Sequence, residues 1–227
     1  MKVARFKRAS LGARSLVCCV LLIACSLSHA GSYDDFFSAI KRDEPAAVER
    51  LLLRGFDANT VSPAGDPGLL LAVREPSLKV TGVLLNWPKT NVEARNLKDE
   101  SPLMLASLKG LNEVCKQLIK RGADVNKPGW TPLHYAATNG HLGVMELLLD
   151  HHAYIDAASP NGSTPLMMAA HYGSTAAVKL LLDAGADPLL KNDLGLTAID
   201  FAQRVNRQDA AELIASFVRR RQPKGTW

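Results

Sequence analysis

The sequence predicts an all-α solenoid of about six helix-turn-helix units. Three observations predict it. A Ser/Thr-Pro-Leu triplet recurs at near-constant spacing, an apolar cluster follows each copy, and a turn signal follows the cluster. The copies are Ser101-Pro102-Leu103, Thr131-Pro132-Leu133, Thr164-Pro165-Leu166 and the looser Thr197-Ala198-Ile199, with third residues 30, 33 and 33 positions apart. A period in this range marks a chain built from stacked supersecondary units, none of which buries its own apolar face alone.

Each element of the unit has a physical reason. Ser or Thr accepts a hydrogen bond from a free amide of a helix's first turn, and proline at the first helical position loses no hydrogen bond. The Ala136-Ala137 and Ala169-Ala170 pairs let a first helix pack closely on its neighbours. Gly140 and Gly173 break the chain between the first and second helices. The clusters Leu118-Ile119, Leu147-Leu148-Leu149, Leu180-Leu181-Leu182 and Leu213-Ile214 form the buried face of the second helix. Gly122 and Gly185 supply the left-handed residue that ends it.

Thr131-Pro132-Leu133-His134-Tyr135-Ala136-Ala137-Thr138-Asn139-Gly140-His141 resembles the ankyrin-repeat signature almost fully, and Thr164 to Gly173 resembles it well. The resemblance covers essentially the whole chain after residue 30. It implies an ankyrin-repeat solenoid with β-hairpin loops projecting between units. Weaker copies extend the array: Phe36 lies 33 residues before Leu69, which lies 34 before Leu103. The repeat domain is therefore placed at 31–219, with units near 33–61, 62–96, 97–126, 127–157, 158–190 and 191–219, and a basic tail at 220–227.

Departures from the pattern are informative. Asn86-Trp87-Pro88 stands where other units close with glycine, so that turn must be rebuilt. The junction Asn126-Lys127-Pro128-Gly129-Trp130 is three residues short, which truncates its hairpin. His152 occupies a capping-glycine position, where left-handed backbone is costly for other residues.

Residues 1–30 read as an export signal. A cationic stretch ends at Arg14, an apolar run covers residues 16–24, and Ser28-His29-Ala30 is a small-x-small cleavage pattern. Spanning a bilayer takes about 20 apolar residues, and this run is far shorter. Cleavage after Ala30 and a periplasmic or secreted location are the preferred reading. Leu22-Ile23-Ala24-Cys25 also fits a lipobox, with acylation at Cys25 and an envelope lipoprotein as the alternative. The net charge of +5 belongs to this segment. Five of the 27 basic residues and none of the 22 acids precede residue 31, so the remainder is neutral. Cleavage would leave Cys115 alone, expected as a buried small hydrophobe rather than a reactive thiol.

No catalytic constellation, phosphate loop or zinc signature stands out, and no cofactor is expected. His134 and His141 fall where the family signature has histidine, which implies hydrogen bonds within the stack. Asp150-His151-His152 with Asp156 has a metal-like composition, but adjacent residues at a helix end do not converge, so no metal site is assigned. An enzyme using His151 and His152 is the minority reading. Arg219-Arg220-Arg221 and Lys224 read as a solvated terminus rather than a nucleic-acid site, since no aromatic or basic surface supports them elsewhere.

The expected role is a monomeric, non-enzymatic module that binds another protein. The resemblance places contacts on loop tips and the inner-helix surface. The tips carry Gly65, Asp66, Asn96, Lys98, Lys127, Trp130, Asn161 and Asn192; the inner helices carry Arg74, Glu75, Leu108, Lys109, Thr138, Asn139, His171, Tyr172 and Arg204. The leading candidates are Lys109, Trp130, Thr138, Asn139, Asn161, His171 and Tyr172. Leu71, Leu105, Tyr135, Met168 and Phe201 form an apolar row read as packing in preference to a binding stripe. The alternative role is a secreted effector acting on a host-cell protein.

Overall fold

In the computed structural model, which describes residues 31–221, helices pair along the chain. The pairs are α1 (31–41) with α2 (Pro45–Leu53), α3 (Gly68–Arg74) with α4 (Leu78–Asn86), and α5 (Pro102–Leu108) with α6 (Asn112–Lys120). They continue as α7 (Pro132–Asn139) with α8 (Leu142–Asp150), α9 (Pro165–His171) with α10 (Thr175–Asp183), and α11 (Ala198–Arg204) with α12 (Gln208–Arg221). The inner helices α3, α5, α7, α9 and α11 pack in one row, and the even-numbered outer helices in a second. The export segment, including Cys25, and Lys224 lie outside the described residues.

Short inner helices of seven or eight residues cannot satisfy their ends from within, so the caps matter. Ser101, Thr131, Thr164 and Thr197 each accept a bond from the amide three residues on. In return their own amides donate to the side chains of Met104, His134, Met167 and Asp200. This reciprocal cap was not read from the sequence, because methionine and histidine replace the usual Glu or Gln.

The core runs between the two rows. Ala136, Ala137, Ala169 and Ala170 are completely buried, as their pairing predicted. Of the leucine clusters one register goes inside in every unit: Leu118, Leu148, Leu181 and Ile214 are buried, joined in unit five by Leu182, while Leu147, Leu149, Leu180 and Leu213 are half-buried. Cys115 is buried against Ser107, and burial pushes its thiol pKa up to about 11, far from the reactive range.

Two ladders of hydrogen bonds tie successive units together. The residue capping an outer helix reaches back to the end of the previous inner helix: Ser77 Oγ donates to the Ile40 carbonyl (2.6 Å), His141 Nε2 to Leu108 (2.9 Å), and Arg207 Nη1 to Ala169 (2.9 Å). Beyond the outer helices, Asn59 donates to the Lys89 carbonyl and accepts from Asn91 N. Asn126 likewise donates to the His152 carbonyl (2.8 Å) and accepts from Tyr154 N (2.7 Å).

Several irregularities resolve into specific solutions. The turn at Asn86-Trp87-Pro88 is rebuilt by Arg121, whose guanidinium donates to four carbonyls across residues 85–90. His152 does adopt left-handed backbone, with φ 61°. Gly122 and Gly185 are left-handed as expected, and so is Gly140, whereas Gly173 is not. Gly173 is required for space, since a Cβ there would stand 2.3 Å from the Ala137 carbonyl oxygen. The loops between units are tight turns; among the described residues only the Val61–Pro67 bridge has β pairing. The arginines 219–221 are helical, continuing α12, and Arg221 lies over the Phe217 ring at 4.5 Å.

Candidate binding face

The loops between units do not carry their polar residues as free tips, which corrects the expectation for Asp66, Lys127 and Asn192. Their exposures are 2%, 5% and 6%. Side-chain groups close these loops. Asn192 Oδ1 accepts from the amides of Leu194 and Leu196 (3.0 Å each), and Asn96 Oδ1 accepts from those of Lys98 and Glu100. Ser62 and Ser159 play the same part for Asp66 and Ser163. The signal was present in the sequence, as an Asn or Ser five residues before the helix cap. Asn161 remains exposed, but its side-chain Oδ1 accepts from Ser159 Oγ (2.6 Å) and Ser163 N (3.2 Å).

Lys127 folds inward instead of projecting. Its ammonium pairs with Asp99 of the preceding loop and donates to the Pro128 carbonyl (3.1 Å). A shortened loop leaves this long side chain no outward path along a neighbouring tip, and the pair pins the truncated segment to unit three. The hydrogen bond from Lys127, then that from Arg95 and the charges of both, holds the Asp99 carboxyl below its usual range.

A second network spans units two to four. Arg74 bridges Asp66 and Glu100, Asn96 Nδ2 donates to Glu100 (2.7 Å), and the Tyr135 hydroxyl approaches Glu100 at 3.4 Å. Burial, then the Glu100 charge, pushes the Tyr135 pKa up to about 12. Arg74 is therefore committed to the stack.

The histidines divide by role. His134 is fully buried, with Nδ1 against Thr131 and Nε2 against the Ser163 carbonyl (2.9 Å), and burial lowers its pKa to about 4. It is neutral and structural, as the resemblance implied, and His141 is likewise bonded within the stack, to the Leu108 carbonyl. His151 and His152 are exposed; among the described residues no cluster of three His, Cys, Asp or Glu side chains could hold a metal ion.

The remaining candidates gather on the inner-helix side of units three to six. Lys109, which caps α5, is exposed and has no bonded side-chain partner among the described residues. Thr138 and Asn139 are partly spent, donating to the His134 carbonyl (2.8 Å) and the Leu108 carbonyl (2.7 Å). Tyr172 is 61% exposed, its ring edge-on to His171 at 4.0 Å, and His171 in turn meets Phe201 at 5.8 Å. Trp130 is half-buried, edge-on to His134 at 5.3 Å. With Leu108, His134, Tyr135, Thr138 and Met168 it lines an open groove of about 200 Å³. The apolar row is graded: Leu71 and Leu105 are packed away, whereas Tyr135, Met168 and Phe201 keep part of their surface exposed.

This geometry accords with the known proteins the chain is similar to. The ankyrin-repeat family model matches residues 36–128, 69–159, 103–192 and 151–220 in overlapping copies. An ankyrin repeat-containing protein of Treponema pallidum is 28% identical over 193 residues, covering 81% of this chain and 62% of that protein. Human neurogenic locus notch homolog protein 1 is 30% identical over 167 residues, 70% of this chain but 6% of that protein. A glycerophosphocholine phosphodiesterase of Schizosaccharomyces pombe matches over 118 residues, at 35% identity, half of this chain and 10% of that one. The chain thus spans less than two thirds of each of these relatives. Among solved structures, one of a predatory endopeptidase from Bdellovibrio bacteriovorus in complex with an immunity protein contains a similar chain. It superposes with a TM-score of 0.71 at 30% identity, over 80% of this chain and 97% of that one.

Proposed function

This chain belongs to the ankyrin-repeat family, and we propose that it is a non-enzymatic protein-binding module of the periplasm or cell envelope. It holds its partner against the inner-helix face of units three to five. The observation that carries this reading is a contrast within that face. Groups able to do chemistry, His134 above all, are buried and bonded internally, whereas Lys109, Trp130 and Tyr172 are presented without hydrogen-bonding partners among the described residues. Repeat stacks offer extended concave surfaces suited to macromolecules, and exposed Trp and Tyr are over-represented among binding hot spots.

Export is supported by the cationic, apolar and small-x-small order of residues 1–30, with cleavage after Ala30 preferred over acylation at Cys25. Among the described residues no helix is long and apolar enough to cross a membrane. The protein acts as a monomer. The Bdellovibrio complex supplies an analogy for the partner, and an envelope peptidase is the class to test first.

The test is affinity capture from an envelope extract, with the full-sequence protein and with the variant Lys109→Glu/Trp130→Ala/Tyr172→Ala. The reading predicts a partner retained by the first and lost by the second at unchanged stability. Capture undiminished by the three substitutions would reject this face. Recovery of the protein from culture medium and host cells, rather than the envelope, would favour the effector role.

A further inference from the structure

The groove beneath Trp130 has a size, a polarity and a charge setting that together define what fits it. Its volume of about 200 Å³ lies below the roughly 300 Å³ at which small-molecule sites begin, a scale suited to a single large side chain. Its polar lining atoms are already engaged. Thr138 Oγ1 donates to the His134 carbonyl, and both His134 ring nitrogens are bonded to Thr131 and Ser163. What remains facing the groove is apolar surface from Leu108, Tyr135, Met168 and the Trp130 ring.

One donor stays free. The Trp130 indole N–H has no hydrogen-bonding partner among the described residues, and the ring is half-exposed. Such a group awaits an acceptor, because burying it unpaired on binding would cost affinity.

Two cations near the groove are unpaired. The acids there lie in internal networks: Arg74 bridges Asp66 and Glu100, Arg95 bridges Glu93 and Asp99, and Lys127 pairs with Asp99. Lys109, adjoining Leu108, is exposed without an ion-pair partner among the described residues, as is Lys98 beside Asp99. Glu75, the equivalent of Lys109 one repeat earlier, is an exposed acid, so the free lysine at this position belongs to unit three and not to unit two.

Building on the protein-binding role proposed above, we infer that the groove receives one leucine- or phenylalanine-sized side chain from an acidic loop of the partner. A carboxylate next to that side chain faces Lys109, and a loop carbonyl accepts from the Trp130 indole. Complementary charge of this kind fixes register and speeds encounter, while the apolar anchor supplies residence.

The probes are acetyl-Gly-Glu-Leu-Glu-Gly-amide and two analogues, one with Ala for Leu and one with Lys for both Glu, titrated by calorimetry into the full-sequence protein at low salt. The Leu-Glu peptide is expected to bind at least tenfold more tightly than either analogue. Lys109→Glu, an exposed substitution that leaves the fold intact, should reverse the order of the Glu and Lys peptides, and Trp130→Ala should erase the Leu–Ala difference. No saturable binding of the Leu-Glu peptide, or an unchanged order in Lys109→Glu, overturns the inference. The two readings fail separately. A captured partner that binds Lys109→Glu/Trp130→Ala undiminished overturns the groove and leaves protein binding standing. Peptide selectivity without any captured partner supports the groove and counts against the wider role.

Discussion

Arg121 Nη1 donates to the Leu85 carbonyl at 2.7 Å, across two repeats, and the same guanidinium reaches the carbonyls of Trp87, Pro88 and Thr90 at 3.1, 3.4 and 3.0 Å. The second unit lacks the glycine that would close α4, and Trp87 leaves the helix in extended backbone. Carbonyls at that end would lack donors, and Pro88 has no N–H to offer. The planar fork of Arg121 supplies the missing donors from the neighbouring outer helix.

Replacing Arg121 by alanine should therefore destabilise the stack by about 2 kcal/mol, the scale of bonds to a charged donor with their acceptors left stranded. Lysine should recover only part, since it offers a point charge rather than a fork. Urea unfolding measures both. A loss below about 0.5 kcal/mol, the range of ordinary surface changes, would mean that water replaces the guanidinium.

His134 predicts a pH dependence. Its folded pKa of about 4 lies below the ordinary histidine value of 6.5, so between these limits the unfolded chain binds the proton and the folded one does not. Stability is then full above pH 6.5 and falls as the pH drops toward 4, by about 2 kcal/mol between pH 7 and pH 5. His134→Gln is expected to start less stable and to lose this slope. Parallel pH profiles for the two proteins would contradict the buried, neutral assignment.

His152 holds a left-handed conformation that glycine occupies at the equivalent Gly122 and Gly185. Its side chain is exposed, and the bond it accepts from Asn126 is through its carbonyl. His152→Gly should leave that bond in place and raise stability by about 1 kcal/mol, the cost of left-handed backbone for a residue with a Cβ. Thermal unfolding should show a higher midpoint; a fall would locate a role for the imidazole.

These cases also mark what the sequence could disclose. The helix order, caps and buried alanines were legible because each follows from chemistry within one unit, such as Thr131 capping the helix that Pro132 begins. Arg121, Arg207 and Asn126 were not, because their partners lie 26 to 38 residues away. Lys127 and Asp66 resemble free loop residues by composition, and only their neighbours Asp99 and Arg74 make them buried. On the binding face, Trp130 was legible as an oddity beside a short loop. Its groove was not, because Leu108 and Met168 come from the repeats on either side.

The central claim is that the inner-helix face of units three to five holds the partner. Hydrogen exchange on the protein, alone and saturated with its captured partner, tests it most directly. The account predicts added protection at residues 108–109, 130–139 and 171–172, with none on the outer helices α8 and α10. Protection confined to the outer helices or to the end units would contradict it.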